Sequence, residues 1–152
     1  MRIAIGSDHG GFSLKQALAG YLKQKNHCII DVGCFSKDSC DYPEYSYSAA
    51  KLVQTKKADR AIVICKSGIG NSIVANKLSG VRAALCYNVK AARLSRMHND
   101  SNVLVLGSIF VKSDLAKKII RVWLNTEFEG GRHKKRLAQI KDIERKVRCY
   151  KK

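Results

Sequence analysis

A cysteine at the end of an apolar run, followed by two glycines, marks the first place where this sequence could carry chemistry. Residues 61–64 are apolar and lead into Cys65, and Gly68 and Gly70 follow in the stretch CKSGIGNS. Glycines let several backbone N–H groups converge on an anion at a helix N-terminus, where the helix dipole also stabilises a thiolate. Cys65 is therefore a candidate base or nucleophile, although most free cysteines are simply small buried residues. The stretch has neither the ending of a Walker loop nor the dinucleotide pattern GxGxxG.

Ionisable residues also follow the first apolar run, at residues 1–5. Asp8 and His9 come directly after that run and precede Gly10 and Gly11. In an open parallel sheet, ligands collect beyond the carboxyl ends of the strands, so this segment and the cysteine loop should lie at one edge. Asp8 and His9 could form an acid–base pair, or the segment could only cap the next helix.

A third polar group, His98-Asn99-Asp100, stands before an apolar run at residues 103–106. It should therefore lie at the amino end of a strand, which is the wrong edge for a site formed by its own chain. We expect His98 either to serve the site of a neighbouring subunit or to bend round to this one.

Two arginines near the C-terminus form a possible anion grip. Arg132 and Arg136 are four residues apart, so they share one face of a helix. Two guanidinium groups on one face can hold a single phosphate, although surface arginines are more common than ligand clamps.

Strands and helices alternate along the chain. Apolar runs typical of strands lie at 1–5, 28–30, 61–64, 81–85 and 103–106. Helical periodicity lies near 14–22, 45–57, 71–78 and 88–97, in a segment capped by Ser113, and over 132–147. Consecutive hydrophobic residues within the strands indicate burial on both faces. The predicted fold is a single α/β domain over 1–152: a three-layer α/β/α sandwich, Rossmann-like, with a five-stranded parallel sheet and a basic C-terminal tail.

The formal net charge of +17 is the most unusual feature of the composition. Such a surface attracts nucleic acid or phosphorylated ligands. Ten of the 29 Lys and Arg residues lie in 132–152, against Asp142 and Glu144. No nucleic-acid-binding motif accompanies them, so a solvated basic face is the better explanation and we do not expect a nucleic-acid partner.

Six cysteines could suggest a disulfide framework or a metal site. They are Cys28, Cys34, Cys40, Cys65, Cys86 and Cys149. The sequence has no export signal and no CxxC pair, so we expect reduced thiols and no structural metal. No apolar run approaches the length of a membrane span, and we expect a cytoplasmic protein without a membrane partner.

Five segments that occur together in order give a specific family resemblance. They are GSDHGGF at 6–12, DYP at 41–43, the loop at 65–76, RMHND at 96–100 and EGGRH at 129–133. Over residues 1–145 the chain resembles the ribose-5-phosphate isomerase B family, which includes isomerases of allose and galactose 6-phosphates. The resemblance implies interconversion of D-ribose 5-phosphate and D-ribulose 5-phosphate, in the pentose phosphate pathway. It implies proton transfer between C1 and C2 through an enediolate, with no metal or cofactor.

The resemblance also implies roles for individual residues. Cys65 matches the base that takes the C2 proton, and His98, helped by Asp8, matches the acid that opens the sugar ring. Ser67 and the backbone amides of 68–71 match an anion hole for the enediolate oxygen. The substrate-binding residues are then Tyr42, Lys66, Gly68, Ile69, Gly70, Asn71 and Asn99, with His9, Arg132 and Arg136 holding the phosphate.

Three positions depart from the family pattern. Lys66 stands where many relatives have glycine, and its ammonium would favour the Cys65 thiolate if it turned inward. Ser67 replaces a frequent threonine and keeps the hydroxyl. Ile109 stands where the best-known bacterial members carry a phosphate-contacting arginine. This loss leaves open allose or galactose 6-phosphate as the substrate.

The resemblance places the site between two subunits, so we expect a homodimer or homotetramer. Such a site would explain why His98 lies at the wrong edge of its own sheet. Two other classes stay open: a basic nucleic-acid-binding protein that kept this fold, and a thiol redox or metal protein.

Overall fold

The computed structural model describes the backbone of residues 1–149 and the side chains of residues 1–147. The strands in this part of the chain are β1 (Arg2–Ser7), β2 (Cys28–Asp31), β3 (Arg60–Cys65), β4 (Ala83–Leu85) and β5 (Val103–Gly107). The helices are α1 (Phe12–Gln24), α2 (Tyr42–Gln54), α3 (Ile69–Ala75), α4 (Val89–Met97), α5 (Ser113–Asn125) and α6 (Gly131–Cys149).

The strands form one parallel sheet in the order β2-β1-β3-β5-β4. Two hydrophobic cores cover its faces, and successive residues of each central strand point into opposite cores. Ile62 and Ile64 pack with Trp123 of α5 in one core, while Ala61 and Val63 pack against α2 and α3 in the other. This double burial is the reason for the consecutive apolar residues. The predicted three-layer α/β/α fold with a five-stranded parallel sheet is confirmed.

Several element boundaries differ from the predictions. Helix α2 begins at Tyr42 instead of 45, because Pro43 lacks a backbone N–H and fits the first turn of a helix. Strand β4 is limited to Ala83–Leu85, since the N–H of Arg82 donates to Oδ1 of Asn102 at 2.8 Å instead of to a neighbouring strand.

The predicted cap of α5 was wrong by one position. Lys112 is the N-cap residue, with an extended backbone and no side-chain capping bond, and Ser113 is the first helical residue. Helix α3 spans Ile69–Ala75, earlier and shorter than the predicted 71–78.

Helix α6 includes the helix predicted over 132–147 and is anchored to its own chain through Glu144. The Glu144 carboxylate accepts hydrogen bonds from Oγ of Ser79 at 2.8 Å and from the N–H of Gly80 at 3.0 Å. These bonds fix the helix against the turn that precedes β4.

The apolar stripe of α6 is largely uncovered. Ile140, Ile143 and Val147 are exposed, so the stripe is free to pack against another subunit. The side chains of the basic tail beyond Val147 and of Cys149 lie outside the described residues.

The described cysteines, Cys28, Cys34, Cys40, Cys65 and Cys86, are all free, as predicted. Among the described helices, none combines the length and apolar character needed to cross a membrane. The cytoplasmic location stays a prediction.

Candidate active site

Cys65 closes strand β3 at the carboxyl edge of the sheet and is only 4% exposed. The N–H of Gly68 donates to its Sγ at 3.1 Å. Gly68 has φ +84°, a left-handed conformation that favours glycine, and a Cβ there would meet the side chain of Leu85. The turn from β3 into α3 therefore directs backbone amides at the cysteine sulfur.

The pKa of the Cys65 thiol reflects two opposing effects. Burial is the larger one and raises the pKa above its ordinary value. The backbone N–H groups of Gly68, Asn71 and Ser67 lower it, and the charge of the Asp8 carboxylate raises it further. The net result is a raised pKa, so Cys65 is mainly a thiol at neutral pH.

Lys66 does not turn its ammonium group inward to favour the Cys65 thiolate. Its side chain is exposed, and the charge that perturbs the thiol is that of Asp8. The thiolate is therefore stabilised by backbone N–H groups instead of by an inward-turned ammonium.

The first turn of α3 and the start of α2 meet beside this cysteine. Oγ of Ser67 accepts a hydrogen bond from the N–H of Ile69 at 3.3 Å. Tyr42 lies against Gly70 so closely that a Cβ on that glycine would meet both its ring and its hydroxyl. Asn71 is buried, and its Oδ1 has no hydrogen-bond partner within the described part of the chain. The proposed anion-hole residues and Tyr42 are thus brought together.

Asp8 and His9 reach the same edge but bond to different partners. The Asp8 carboxylate accepts from the N–H of Gly11 at 3.0 Å, which caps the turn into α1. Nδ1 of His9 lies 3.1 Å from the carbonyl oxygen of Cys40 and 3.2 Å from its backbone nitrogen, so the backbone of Cys40 fixes the ring. Asp8 and His9 are thus each held by a backbone contact at the edge of the sheet that carries Cys65.

His98 follows α4 at the opposite, amino edge of the sheet, where its backbone N–H donates to the carbonyl of Leu94 at 2.9 Å. Its ring stacks on that of His133, with centroids 4.2 Å apart and planes 9° apart. Oε2 of Glu129 lies 3.6 Å from Nε2 of each histidine. We call His98, Glu129 and His133 the histidine cluster.

His133 is buried, and this lowers the pKa of its imidazole. Electrostatic interaction with His98 and with Arg132 lowers that pKa further, whereas Glu129 raises it. The ring of His133 is therefore neutral at neutral pH.

The remaining predicted site residues accompany the histidine cluster. Arg132 and Arg136 are exposed in the first turns of α6, and the charges of both act on His133. Asn99 is also exposed, and its carbonyl accepts from Nε of Arg82 at 3.0 Å.

A buried arginine fixes the loop that follows His98. Nη1 of Arg96 donates to Oδ1 of Asp100 and to the carbonyl of Ser101, both at 2.7 Å. Nη2 of Arg82 donates to the other carboxylate oxygen of Asp100 at 2.8 Å. These charge-assisted bonds hold the loop rigidly against the sheet.

The two groups of residues are separated by the length of a strand. Cys65 pairs with Gly107 at one end of β3 and β5, and Ala61 pairs with Val103 at the other, so roughly 13 Å of strand lies between them. His98 precedes Val103. Within one chain, the predicted site residues therefore form two separate groups. The first group is Cys65, Ser67, Asp8, His9, Tyr42, Lys66 and residues 68–71. The second group is His98, Asn99, Arg132 and Arg136. His9 in particular lies away from the two arginines.

Exposed apolar side chains surround the Cys65 edge. They are Tyr42, Ile69, Ile73, Tyr87, Ile109 and Phe110. Ile109 lies in the turn after β5, where its N–H donates to the carbonyl of Lys66 at 3.2 Å. An exposed apolar patch of this kind is typical of a surface that contacts another protein.

Glu129 and His133 were not singled out from the sequence, although both lie in the EGGRH segment. Their spacing of four residues was the available signal, because it is the spacing of neighbours on one helix face. Their position beside His98 also depends on a hydrogen bond from the N–H of Glu129 to the carbonyl of Met97, at 3.0 Å.

Comparisons with known proteins identify the family to which this sequence is similar. A family model described as Ribose/Galactose Isomerase matches residues 3–140. Ribose-5-phosphate isomerase B of Escherichia coli (strain K12) is 43% identical over 145 residues, which cover 95% of this chain and 97% of that protein.

Solved structures give the same result. A ribose-5-phosphate isomerase B from Clostridium thermocellum is 48% identical with a TM-score of 0.95, covering 97% of this chain and 99% of that one. Ribose-5-phosphate isomerase B from Mycoplasma genitalium, solved with bound ribulose-5-phosphate, is 38% identical with a TM-score of 0.91, covering 95% and 96%.

Proposed function

The chain belongs to the ribose/galactose isomerase family and is an aldose-ketose isomerase, and we propose that Cys65 is the base of its reaction. The reaction interconverts D-ribose 5-phosphate and D-ribulose 5-phosphate. The proposal concerns how this chain moves the proton and which residues bind the sugar phosphate.

The observation that carries the proposal is the hydrogen bond from the N–H of Gly68 to Sγ of Cys65. A buried thiol that receives backbone N–H bonds is prepared to carry a negative charge, because amide donors stabilise the thiolate. After the thiol has lost its proton, the thiolate takes the C2 proton of the open-chain aldose. Its raised pKa makes each thiolate a stronger base, at the cost of a smaller thiolate fraction.

The turn at 67–71 would then stabilise the enediolate. Removal of the C2 proton places negative charge on the sugar oxygens, and preorganised N–H donors act most strongly where charge develops in the transition state. The hydroxyl of Ser67 adds another donor beside Cys65. The protonated Cys65 then returns the proton to C1 while the hydroxyl proton moves from O2 to O1, which completes the conversion to the ketose.

Ring opening needs a separate acid, and His98 is suited to this step. An imidazole can give a proton to the ring oxygen and accept one from the anomeric hydroxyl near neutral pH. The stacked ring of His133 and the nearby Glu129 carboxylate fix the orientation of His98.

A second copy of the chain would complete the site. Cys65 and His98 lie at opposite ends of the strands, and exposed apolar side chains surround the Cys65 edge. In a two-fold symmetric pair, the Cys65 edge of one subunit can meet the His98 edge of its partner, and the reverse contact forms a second site. Arg132 and Arg136 of one subunit would then join His9 of the other around the phosphate.

Co-expression of two inactive variants tests this arrangement. We would combine differently tagged Cys65→Ala and His98→Asn chains and isolate assemblies that carry both tags. Each mixed dimer would contain one intact site and one doubly altered site, and random pairing would restore about one quarter of the wild-type activity in the unfractionated mixture. Mixed dimers without activity would refute a site shared between subunits.

Ile109 is the one position that favours testing a second substrate. It is exposed in the turn after β5, at the edge that carries Cys65, where the family resemblance implied an arginine. Ketose formation should be measured with ribose 5-phosphate and with allose 6-phosphate, in EDTA and a reductant. Faster turnover of the pentose supports the proposed function, whereas turnover of the hexose alone would assign a hexose 6-phosphate isomerase.

A further inference from the structure

Two cysteine thiols meet beside His9, and the proposed reaction uses neither of them. Cys34 and Cys40 flank a loop whose intervening residues, 35–39, are exposed. Sγ of Cys34 lies 4.0 Å from Oγ of Ser7, and Sγ of Cys40 lies 4.0 Å from Nδ1 of His9. Both thiols therefore face the end of β1, where they are in hydrogen-bond contact with each other.

The two thiols differ in their access to solvent. Cys34 is only 4% exposed, whereas Cys40 is partly exposed. Burial raises the pKa of the Cys34 thiol, and the hydrogen bond with Cys40 raises that pKa further. An oxidant from solution should therefore react first with Cys40, and the buried Cys34 is the nearby second thiol.

The start of this loop is held more firmly than its end. The N–H of Gly33 donates to Oδ1 of Asp31 at 2.9 Å. The fully buried Nζ of Lys15 donates to both oxygens of that carboxylate, at 2.6 and 2.7 Å. Because a buried ion pair is costly to break, a bond between the two sulfurs would move Cys40 and leave Cys34 in place.

Movement of Cys40 would act directly on His9. The backbone of Cys40 holds the imidazole, since Nδ1 lies 3.1 Å from its carbonyl oxygen and 3.2 Å from its nitrogen. Two sulfurs in hydrogen-bond contact must approach to about 2.0 Å to form a disulfide. That approach would shift the backbone of Cys40 and release the ring that is proposed to hold the phosphate.

We propose that hydrogen peroxide converts Cys34 and Cys40 into a reversible disulfide, and that this disulfide weakens binding of the sugar phosphate. The Cys40 thiolate attacks one peroxide oxygen and the O–O bond breaks, which gives a sulfenic acid and a hydroxide that takes up the thiol proton as water. The Cys34 thiolate then attacks the Cys40 sulfur and expels a second hydroxide, which also leaves as water. Two thiols thus lose two electrons, and one peroxide is reduced to two waters.

Peptide mapping tests the disulfide. Lys37 lies between the two cysteines, so trypsin separates residues 26–37 from 38–51 unless a disulfide joins them. After treatment with peroxide and blocking of the remaining thiols, mass spectrometry should find the joined peptides, and dithiothreitol should separate them. Cys28 lies in the same peptide as Cys34, so Cys28→Ala is the matched control and should keep the joined peptides. No joined peptides in the wild type, or joined peptides in Cys34→Ala, would overturn the disulfide.

Initial rates on the same samples test the effect on binding. The oxidised wild type and oxidised Cys28→Ala should show a KM for ribose 5-phosphate that is raised roughly 10-fold, as expected for one lost hydrogen bond to a charged group. Dithiothreitol should restore the original KM. Cys40→Ala cannot form the disulfide and should have the same KM before and after peroxide. Oxidation of Cys65 in part of the sample would lower kcat instead, so the comparison of KM separates the two reactions.

The effect on binding rests on the proposed role of His9, whereas formation of the disulfide does not. Joined peptides with an unchanged KM would refute the effect on binding. A raised KM in oxidised Cys40→Ala would also refute it, because the change would then need no disulfide. Failure of the proposed function would be distinct from both results, since the untreated protein would have no turnover while the peptide map would still test the disulfide.

Discussion

The backbone N–H of Gly68 donates a hydrogen bond to the sulfur of Cys65 over 3.1 Å, at the turn where β3 ends and α3 begins. This contact opposes the effect of burial, which raises the pKa of the same thiol. Cys65 is therefore a thiol for most of the time, but one whose thiolate has donors ready to stabilise it. Several measurable properties depend on this balance.

Removal of the thiol should abolish proton transfer and leave binding nearly intact. In Cys65→Ala the base is lost, whereas the residues proposed to hold the phosphate are unchanged. We expect kcat to fall by about 100-fold or more, in the range typical of losing a general base. Ligand binding by calorimetry should change little.

Cys28→Ala is the control for loss of a cysteine, because Cys28 is exposed at the amino end of β2. It should keep the wild-type rate. Turnover by Cys65→Ala close to that of this control would remove Cys65 from the mechanism.

The reactivity of Cys65 should increase with pH into the alkaline range. Because burial raises its pKa above the ordinary value of 9.0, the thiolate fraction is still growing when the pH passes that value. Alkylation by iodoacetamide, followed by peptide mass spectrometry, should show a rate for Cys65 that continues to rise there. A plateau reached below pH 9.0 would contradict the raised pKa.

A methyl group at Gly70 should disturb Tyr42. The φ angle of Gly70 lies outside the left-handed region, so Gly70→Ala introduces no backbone strain. The new Cβ would, however, overlap the ring and hydroxyl of Tyr42. We expect a loss of about 1–3 kcal/mol in the free energy of unfolding and a lower activity.

The same substitution in a Tyr42→Ala background tests this cause. Once the ring is absent, Gly70→Ala should cost much less stability in a denaturant titration. An equal cost in both backgrounds would show that the overlap is not with Tyr42.

Shortening Arg136 should weaken phosphate binding. Arg132 and Arg136 share one exposed face of α6, and loss of one guanidinium removes a charge-assisted contact with the phosphate. We expect Arg136→Ala to raise KM by roughly 10-fold, consistent with the energy of one such bond, with a smaller change in kcat.

Lys134→Ala is the matched control for that experiment. Lys134 is an exposed cation of the same helix but faces away from the arginine pair. Similar changes in KM for both variants would indicate a general effect of charge instead of a specific grip.

The fold could be predicted because burial on both faces leaves a clear pattern in the sequence. Runs such as 61–64 have no polar residue, and this identifies a parallel sheet without any knowledge of strand order. The length of β4 could not be predicted, because it depends on a hydrogen bond that the backbone N–H of Arg82 donates to the side chain of Asn102. Side chains distant in sequence decided that boundary.

The site could be predicted only in part for a similar reason. Cys65 and Ser67 stand at a recognisable strand end, so their neighbourhood follows from local sequence and topology. The approach of Glu129 to His98 depends on how the segment between α5 and α6 folds back over the end of α4. No short sequence pattern predicts how this segment folds back onto α4.

The distance between Cys65 and His98 along the strands bears on how this protein behaves when diluted. If each site needs both edges, a separated subunit keeps its sheet and its two cores but has no complete site. Activity per molecule would then fall as the protein becomes scarce, without any unfolding. A lower concentration of the protein would then reduce the activity of each molecule as well as the number of molecules.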